Sequence, residues 1–287
     1  MKVALIGSNG QLGSEIHDQL RDKTEVTPLT HEHIQIENLD QSRKVLGAIN
    51  PDIIINTAAY HHVPKCEENP DLAFSINGLG AWNLARISDN LKCKLIHFST
   101  DYVFDGAKRS PYIEEDRTNP LNVYAITKRA GENFIQNYCE KYFILRISGI
   151  YGKVPCRAKG GNFILTMIKA AREREVVKVV DDEVLTPTSV EQIARNTNVL
   201  MQTEAYGLFH MTCQGECSWF EFAREIFRLL KLKTPLQSCQ ASDFPSLVKR
   251  PLYSVLENKN LKALQLDHFE EWQQALKLFL TGEYLSQ

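Results

Sequence analysis

Short apolar runs alternate with amphipathic segments along the first half of the chain. The apolar runs lie at residues 3–6, 26–29, 52–56, 94–99 and 143–147. Between them, helical periodicity begins near Gln11 and Asp40 and extends over residues 70–90 and 126–138. Strands that alternate with helical crossovers pair in parallel, so this pattern predicts an α/β fold with a Rossmann-type doubly wound parallel sheet.

The regularity loosens after about residue 151. Amphipathic segments follow at residues 163–174 and 218–230, with short apolar stretches between them. We therefore predict a first domain over residues 1–150 and a smaller C-terminal α/β lobe, mainly residues 151–287. A helical stretch near 186–203 is expected to return to the first domain. A ligand should lie in the crevice between the lobes, at the carboxyl ends of the strands.

The composition excludes several classes of protein. The 287 residues include 33 basic and 35 acidic side chains without a long run of one sign, and the formal net charge is −2. No basic patch for a polyanion is expected, so we predict no nucleic acid polymer as a partner. The chain shows no signal-peptide pattern and no apolar stretch of about 20 residues, which predicts a cytoplasmic protein without a membrane partner.

The seven cysteines are scattered and form no C-x-x-C pair, so we expect reduced thiols rather than a disulfide framework. Cys213, Cys217 and His210 could supply three zinc ligands. A closed zinc site needs four donors, however, and no second cluster provides them. We expect no metal.

Three glycines follow the first apolar run and open the first helix. Gly7 permits a tight turn, Gly10 lets the backbone approach a pyrophosphate at the positive end of the helix, and Gly13 permits close packing of helix on strand. This context predicts a dinucleotide site. The second strand ends without the acidic residue that would bind the ribose of NAD, because residues 30–33 read Thr-His-Glu-His. The predicted cofactor is therefore NADPH or NADH. The absence of an acidic residue favours NADPH, or the use of both dinucleotides.

Tyr124 and Lys128 stand four residues apart and so share one face of a helix. A phenol titrates near 10, and a fixed cation such as Lys128 or an oxidised nicotinamide ring would lower its pKa. Thr100 lies at the end of a buried strand, where its hydroxyl can orient a substrate carbonyl. We predict Tyr124 as proton donor, Lys128 as its electrostatic partner and Thr100 as the orienting group.

The motifs together resemble those of the dTDP-4-dehydrorhamnose reductases, which are extended short-chain dehydrogenase/reductases. The resemblance runs nearly from end to end. The matching segments are residues 7–13 (GSNGQLG), 56–60 (NTAAY), 99–106 (STDYVFDG), 120–128 (PLNVYAITK), 161–163 (GNF), 186–188 (TPT), 218–222 (SWFEF) and 250–254 (RPLYS). As a set they are specific for that family, although several are common individually.

The resemblance implies a reaction and a set of site residues. NAD(P)H would deliver a hydride to the C4 carbonyl of a dTDP-linked 4-keto-6-deoxy sugar, most directly dTDP-4-dehydro-L-rhamnose, while Tyr124 protonates the oxygen. The implied cofactor contacts are Gly7, Asn9, Gly10, Gln11, Leu12, Gly13, Ala58, Ala59, Tyr60, Asn77, Ser99, Tyr124 and Lys128. The implied substrate contacts are Val63, Asp101, Tyr102, Asn162, Phe163 and Arg250. The resemblance is also consistent with a homodimer.

Several positions depart from the family pattern. Gly149 stands where relatives usually have a tryptophan, which would remove a flat apolar wall from the sugar pocket. Pro64 replaces a usual aspartate, and Glu183 and Leu185 replace a usual glutamine and glycine. A related keto sugar or another nucleotide therefore stays open. His61 and His62 are candidate substrate contacts, with ordinary loop residues as the alternative.

Three other functions compete with the reductase. A nucleotide-sugar epimerase uses the same glycine loop and the same Tyr/Lys pair but retains its dinucleotide. A dehydratase would need a further carboxylate directly after the acidic residue that follows Thr100, where this chain has Tyr102. A non-catalytic, dinucleotide-binding regulatory subunit is the alternative from another class. The intact set of Thr100, Tyr124 and Lys128 favours catalysis.

Overall fold

The structure is a computed structural model that describes residues 1–156, 160–244 and 248–285. Within these ranges the strands are β1 (Lys2–Ile6), β2 (Glu25–Leu29), β3 (Ile53–Asn56), β4 (Lys94–Thr100), β5 (Tyr142–Ile147), β6 (Ile150–Tyr151), β7 (Val177–Val180), β8 (Val184–Leu185), β9 (Thr188–Ser189), β10 (Gly207–His210), β11 (Cys217–Ser218) and β12 (Leu236–Cys239).

The α-helices are α1 (Gln11–Leu20), α2 (Leu39–Ile49), α3 (Val63–Glu68), α4 (Pro70–Phe74), α5 (Gly80–Leu91), α6 (Val123–Tyr138), α7 (Phe163–Glu173), α8 (Val190–Leu200), α9 (Trp219–Leu230), α10 (Lys259–Ala263) and α11 (Trp272–Leu280). A π-helical turn, Ser75–Leu79, joins α4 to α5, and a second one, Thr281–Leu285, follows α11. Single 3-10 turns lie at Asp101–Val103 and Ala241–Asp243.

Six parallel strands form the central sheet in the order β10-β5-β4-β3-β1-β2. In its middle, Ile54 of β3 pairs with Ala4 of β1 on one side and with Leu95 of β4 on the other. The chain moves outward from β1 to β2 and then returns to β3 on the opposite side of β1. This topology confirms the predicted fold class and leaves a crevice outside the carboxyl ends of β1 and β3.

Helices cover both faces of this sheet. Val3 and Leu5 of β1 belong to a buried cluster with residues of α1 and α8. Ala4 and Ile6 point the other way and belong to a second cluster with residues of α2, α5 and α6. Alternate residues of one strand thus enter two cores, as the pleat of a strand requires. This explains why β1 is apolar at four consecutive positions, from Val3 to Ile6.

The C-terminal part of the chain extends the first of these cores. Phe222 of α9 and Trp272 of α11 belong to the same buried cluster as Val3. Helix α8 packs against α1, and β10 ends the central sheet beside β5. The chain after residue 150 therefore contributes to the sheet as well as to the lobe, and the boundary at that residue stays a prediction. No helix within the described ranges is long and apolar enough to cross a membrane.

Candidate active site

The turn between β1 and α1 depends on two glycines. Gly7 has a φ of +78°, in the left-handed region, and a Cβ there would lie 2.6 Å from Thr57 Oγ1. A Cβ on Gly13 would overlap the Gly7 carbonyl oxygen. The backbone N–H of Gly7 donates to the carbonyl of Leu29 at 2.8 Å. Larger residues would therefore push the helix away from the strand and open the turn.

The first turn of α1 has features that fit an anionic ligand. Its N-cap, Gly10, supplies no side-chain hydrogen bond, so no capping group occupies the first N–H groups of the helix. In the described part of the chain, the buried amide nitrogen of Gln11 has no hydrogen-bond partner. Asn9 is exposed on the turn and Leu12 is buried. A free helix N-terminus beside an unsatisfied amide suits a dinucleotide pyrophosphate.

The segment after β3 borders the same crevice and is held in place by Asn77. The Asn77 side chain accepts a hydrogen bond from the Tyr60 N–H at 2.9 Å and donates to the Tyr60 carbonyl at 2.9 Å. It also donates to the Thr127 hydroxyl at 3.0 Å. Asn77 lies in the π-helical turn, a feature that often marks functional sites. The backbone of Ala58, Ala59 and Tyr60 is thereby tied to α6.

Helix α6 carries the predicted catalytic pair. It begins at Val123 because the Asn122 side chain accepts the Ala125 N–H at 2.9 Å as an N-cap. The Tyr124 phenol lies close enough to the Thr100 hydroxyl, at the end of β4, for that hydroxyl to lower its pKa. The ring of Tyr102 lies edge-on to Tyr124, with 6.3 Å between the ring centroids. The structure thus brings Thr100, Tyr102 and Tyr124 together.

The pKa of Tyr124 differs from the sequence-based hypothesis. Burial raises the pKa of this phenol, the Thr100 hydrogen bond opposes the rise, and the Asp101 charge adds to it. Lys128 does not lower it in the ligand-free structure, because the Lys128 amine points towards the sheet. A raised pKa keeps the phenol protonated at neutral pH, which a proton donor requires.

The Lys128 amine is buried against β4. Its Nζ donates to the Phe98 carbonyl at 2.6 Å and lies 3.0 Å from His97 Nε2. His97 Nδ1 lies 3.1 Å from Asn56 Nδ2. Burial lowers the pKa of Lys128 to about 8, and Glu132 opposes this shift. Asn56 belongs to the matched NTAAY segment, but neither Asn56 nor His97 was predicted as a site residue, although a polar residue within an otherwise apolar buried strand was an available signal.

Ser99 was predicted to contact the cofactor, but its side chain is directed towards Glu132. Its hydroxyl donates to Glu132 at 2.5 Å, and the same carboxylate binds Arg146 through two hydrogen bonds of 2.9 and 2.8 Å. Arg129 adds a third cationic contact at 2.9 Å. Ser99, Glu132 and Arg146 are buried. The Ser99 side chain therefore serves a structural network, because a buried carboxylate needs every donor within reach.

Asp101 is enclosed by hydroxyl groups. Its carboxylate accepts hydrogen bonds from Thr100 at 3.1 Å, Ser148 at 2.8 Å and Ser254 at 2.6 Å. Burial raises the pKa of Asp101, and the hydrogen bond from Ser254 most strongly opposes the rise. This residue joins β4 to the segment after β5 and to the C-terminal region. Its contact with substrate stays a prediction.

The other predicted substrate residues lie on separate elements. Asn162 caps α7 by accepting the Leu165 N–H at 2.9 Å and donates to the Gly152 carbonyl at 2.9 Å, so its amide is already occupied. The Phe163 ring packs on Trp219, with 4.5 Å between centroids. Val63 is buried at the start of α3.

Glu183 and Arg250 lie close enough to Tyr102 for their charges to shift the pKa of its phenol, Arg250 downwards and Glu183 upwards. Burial raises the pKa of Glu183, while Arg250 and a hydrogen bond with Trp219 oppose the rise. Arg250 itself is exposed. Trp219 was not among the predicted site residues, although it lies within the SWFEF motif.

The loss of a flat tryptophan wall at Gly149 stays a prediction, but the structure shows which side chain lies beside this residue. Gly149 has a φ of +52°, and a Cβ there would lie 2.6 Å from Leu185 Cδ1. Leu185 is buried. The space beside residue 149 is therefore filled by an aliphatic side chain from β8, because the residue that replaces the usual glycine is larger.

The three candidate histidines, His61, His62 and His210, contact other groups of the protein. His61 Nδ1 lies 3.1 Å from the Ala59 carbonyl, and its Nε2 lies 3.1 Å from Cys156 Sγ. His62 caps α3 through the Lys65 N–H. His210 Nδ1 lies 3.1 Å from two backbone carbonyls. Over the described ranges, no group of three or more His, Cys, Asp or Glu side chains is placed to hold a metal ion.

Comparison with known proteins gives consistent matches over the whole chain. Residues 1–284 match the RmlD substrate binding domain family. The spore coat polysaccharide biosynthesis protein SpsK of Bacillus subtilis is 34% identical over 97% of this chain and 96% of its own.

Two solved structures are also similar. A dTDP-4-dehydrorhamnose reductase from Clostridium acetobutylicum is 40% identical, with a TM-score of 0.95 and full coverage of both chains (100% of each). A dTDP-4-dehydrorhamnose reductase from Bacillus anthracis, solved in complex with NADP, is 36% identical, with a TM-score of 0.94 and coverage of 98% of this chain and 99% of its own.

Proposed function

The chain belongs to the RmlD substrate binding domain family, and from that premise we propose that it is a nicotinamide-dependent reductase of a nucleotide-linked 4-keto-6-deoxy sugar. The proposed reaction converts dTDP-4-dehydro-L-rhamnose to dTDP-L-rhamnose. The observation that carries the proposal is the placement of the Tyr124 phenol beside the Thr100 hydroxyl, with Lys128 one helical turn further along α6. Similarity to solved dTDP-4-dehydrorhamnose reductases supports the choice of sugar.

The crevice at β1 and β3 fits a dinucleotide. The turn at Gly7 and Gly13 has no room for side chains, α1 begins without a side-chain cap, and the Gln11 amide nitrogen is buried without a partner in the described part of the chain. Pyrophosphate oxygens would satisfy these donors. The bound dinucleotide supplies a hydride. Residues Ala58, Ala59 and Tyr60, which Asn77 holds in place, border this site.

Tyr124 then acts as the proton donor. Its raised pKa keeps the phenol protonated until the carbonyl oxygen of the sugar gains negative charge and becomes the stronger base. The Thr100 hydroxyl orients that oxygen and shares its developing charge. Positioned proton transfer of this kind contributes about 10²- to 10⁴-fold in rate.

The end of β2 favours NADPH or dual use. Thr30 follows β2 where an acidic residue would select NAD, and both its N–H and its hydroxyl lie close to His33 Nδ1, at 3.1 and 2.9 Å. No carboxylate at this position repels a 2′-phosphate. We propose that NADPH is used at least as well as NADH.

The sugar is expected to lie between the catalytic pair and Glu183. The buried carboxyl group of Glu183, close to Arg250 and Trp219, can hydrogen-bond a sugar hydroxyl. Leu185 provides an aliphatic wall beside Gly149. This lining is smaller and less flat than one built on tryptophan, so related 4-keto sugars belong in the test.

The direct test measures loss of the reduced nicotinamide absorbance with a panel of nucleotide-linked 4-keto sugars, using NADPH and NADH separately. We expect stoichiometric consumption with dTDP-4-dehydro-L-rhamnose. The Tyr124→Phe variant should lower kcat/KM by about 10²- to 10⁴-fold and still bind the dinucleotide. Tyr138→Phe is a matched control, because Tyr138 ends the same helix and is exposed.

Three outcomes would contradict the proposal. Turnover of Tyr124→Phe at the wild-type rate would remove the proton-donor role. Interconversion of sugar epimers without net consumption of dinucleotide would identify an epimerase. Tight dinucleotide binding with no reduction of any keto sugar, together with co-purification of another enzyme, would favour a regulatory subunit.

A further inference from the structure

A continuous hydrogen-bonded chain runs beneath the catalytic helix. It passes from the Ala58 N–H to Asn56, from Asn56 to His97, from His97 to Lys128, and from Lys128 to the Phe98 carbonyl. Asn56, His97 and Lys128 are each at most 2% exposed. Because water is excluded, the side chains must satisfy one another, and the direction of each hydrogen bond can be assigned.

The backbone sets the direction at one end. The Ala58 N–H can only donate, and it donates to Asn56 Oδ1 at 3.1 Å. The amide nitrogen of Asn56 therefore faces His97 and donates to Nδ1. Burial, and then the neighbouring Lys128, hold the pKa of His97 well below its ordinary value, so the ring is neutral. A neutral ring that accepts at Nδ1 carries its hydrogen on Nε2.

The His97 Nε2–H in turn meets the Lys128 nitrogen at 3.0 Å. A neutral amine has a lone pair that accepts this hydrogen bond and two hydrogens, one of which serves the Phe98 carbonyl. An ammonium group has three donors and no acceptor, so it would oppose one N–H with another. The network is fully satisfied only by the neutral amine.

We infer that His97, oriented by Asn56, is a positioning residue that favours the neutral amine of Lys128 in the ligand-free protein, so that dinucleotide capture is coupled to uptake of one proton. This proposal rests on the proposed function, because it assigns Lys128 to the dinucleotide site. The proton comes from solvent and converts the amine to an ammonium group. The ammonium can no longer accept from Nε2, so the side chain is released towards the ligand.

The surrounding charges agree with this assignment. The titratable groups around the amine and the adjoining phenol are His97 from β4, Glu132 and Tyr124 from α6, Arg146 from β5, Asp101 from the turn after β4 and Cys66 from α3. Glu132 favours the ammonium, but it is already paired with Arg146 and Arg129. Burial lowers the pKa of Lys128 to about 8, into a range where binding can change its protonation.

The first experiment titrates Lys128 without any ligand. Carbon NMR of protein labelled at the lysine Cε follows each amine, and loss of one signal in Lys128→Met assigns residue 128. We expect a midpoint near 8 for Lys128 and values near 10.4 for exposed lysines. In His97→Gln the amide oxygen can accept from the ammonium, so the midpoint should rise by about one unit or more.

A second variant, Asn56→Asp, tests the same proposal if His97→Gln does not fold. In Asn56→Asp the carboxylate accepts from both the Ala58 N–H and His97 Nδ1–H, which leaves Nε2 as an acceptor for the ammonium. The imidazole ring is retained, but the donor and acceptor roles of its two nitrogens are exchanged. The midpoint for titration of Lys128 should therefore rise in this variant as well. A midpoint above about 10 in the wild type, or equal midpoints in wild type and folded variants, would overturn the proposal.

The second experiment counts protons during binding. Calorimetric titration with NADP⁺ at about pH 8.5, in two buffers of different ionisation enthalpy, should show uptake of more than about half a proton by the wild type. His97→Gln, with its Lys128 midpoint near 9 or higher, should show uptake of about a quarter of a proton or less. Tyr124→Phe, which retains Lys128, should match the wild type. Wild-type uptake close to zero would overturn the coupling.

The two proposals fail in different ways. Uptake of a proton without reduction of any keto sugar would remove the reductase and leave the coupling in place. An active reductase whose Lys128 titrates like an exposed lysine would remove the role of His97 and leave the reductase in place.

Discussion

Helix α6 carries two buried polar side chains one turn apart that are stabilised in opposite ways. Glu132 is paired with Arg146 through two hydrogen bonds, and Ser99 and Arg129 complete its contacts. Among the described residues, the Lys128 amine is hydrogen-bonded only to a backbone carbonyl and to the neutral His97. The first region holds a fixed ion pair, and the second holds an amine without a counter-ion.

The difference between Glu132 and Lys128 appears in their pKa values, and it distinguishes a residue that stabilises the fold from one that can take part in chemistry. Burial would raise the pKa of Glu132, but the Arg146 charge and hydrogen bonds outweigh burial and the pKa falls. For Lys128 burial prevails, and the pKa falls to about 8. A charge that is fully paired keeps its state and stabilises the fold. An unpaired group can change its state when a ligand arrives, which catalysis requires.

The largest expected effect is the loss of the ion pair in Arg146→Met. Removal of the guanidinium leaves the Glu132 carboxylate buried without its main partner, and breaking a buried pair in this way costs about 3–5 kcal/mol. Urea unfolding of the ligand-free protein measures the difference from the wild type. Arg129→Met is the matched control, because Arg129 contacts the same carboxylate but is 27% exposed and should contribute about 1 kcal/mol or less. Equal losses in the two variants would contradict the assignment of Arg146 as the main partner.

A smaller change in the free energy of unfolding is expected when the pH is lowered. The pKa of Glu132 is lower in the folded protein than in the unfolded chain, so its contribution is complete above the unfolded value near 4.5 and is lost as pH falls through the folded value. His97 and His210 also bind protons on unfolding below about pH 6.5, because both pKa values are lowered in the fold. The difference between wild type and Glu132→Gln at each pH therefore isolates Glu132.

That difference should shrink only below about pH 4.5, and unfolding free energies at a series of pH values measure it. A difference that already disappeared near pH 6 would show that Glu132 is not held ionised by Arg146.

Much of the fold was predictable because it follows from local patterns. The apolar run at 52–56 contains β3, because a strand buried on both faces needs consecutive apolar residues. The glycines at 7, 10 and 13 lie at the start of α1, because a tight turn needs residues without a Cβ. Both features depend on residues adjacent in the chain. The match to the family confirms the resemblance drawn from the motifs. The homodimer stays a prediction.

The details of the site were less predictable because they depend on residues far apart in the chain. Asn56, His97 and Lys128 come from three different elements. The filling of the space beside Gly149 by Leu185 required knowledge of which strands meet. The direction in which a buried lysine points, towards the phenol or towards the sheet, depends on such tertiary contacts, so a spacing of four residues could not show that burial dominates the pKa of Tyr124.

The expected change in stability is smaller for Lys128→Met than for Arg146→Met, which sharpens the contrast between the two residues. The substitution leaves no carboxylate unpaired. It removes the hydrogen bond to the Phe98 carbonyl and the partner of His97 Nε2–H, and a buried group left without its partner costs about 1–3 kcal/mol. The exchange of a buried polar group for an apolar one of similar length offsets part of that loss. Urea unfolding should therefore differ from the wild type by about 1–2 kcal/mol, whereas reductase activity should fall steeply. A loss of stability as large as that of Arg146→Met would mean that Lys128 is held by a fixed charge interaction, and the two buried side chains of α6 would then be alike.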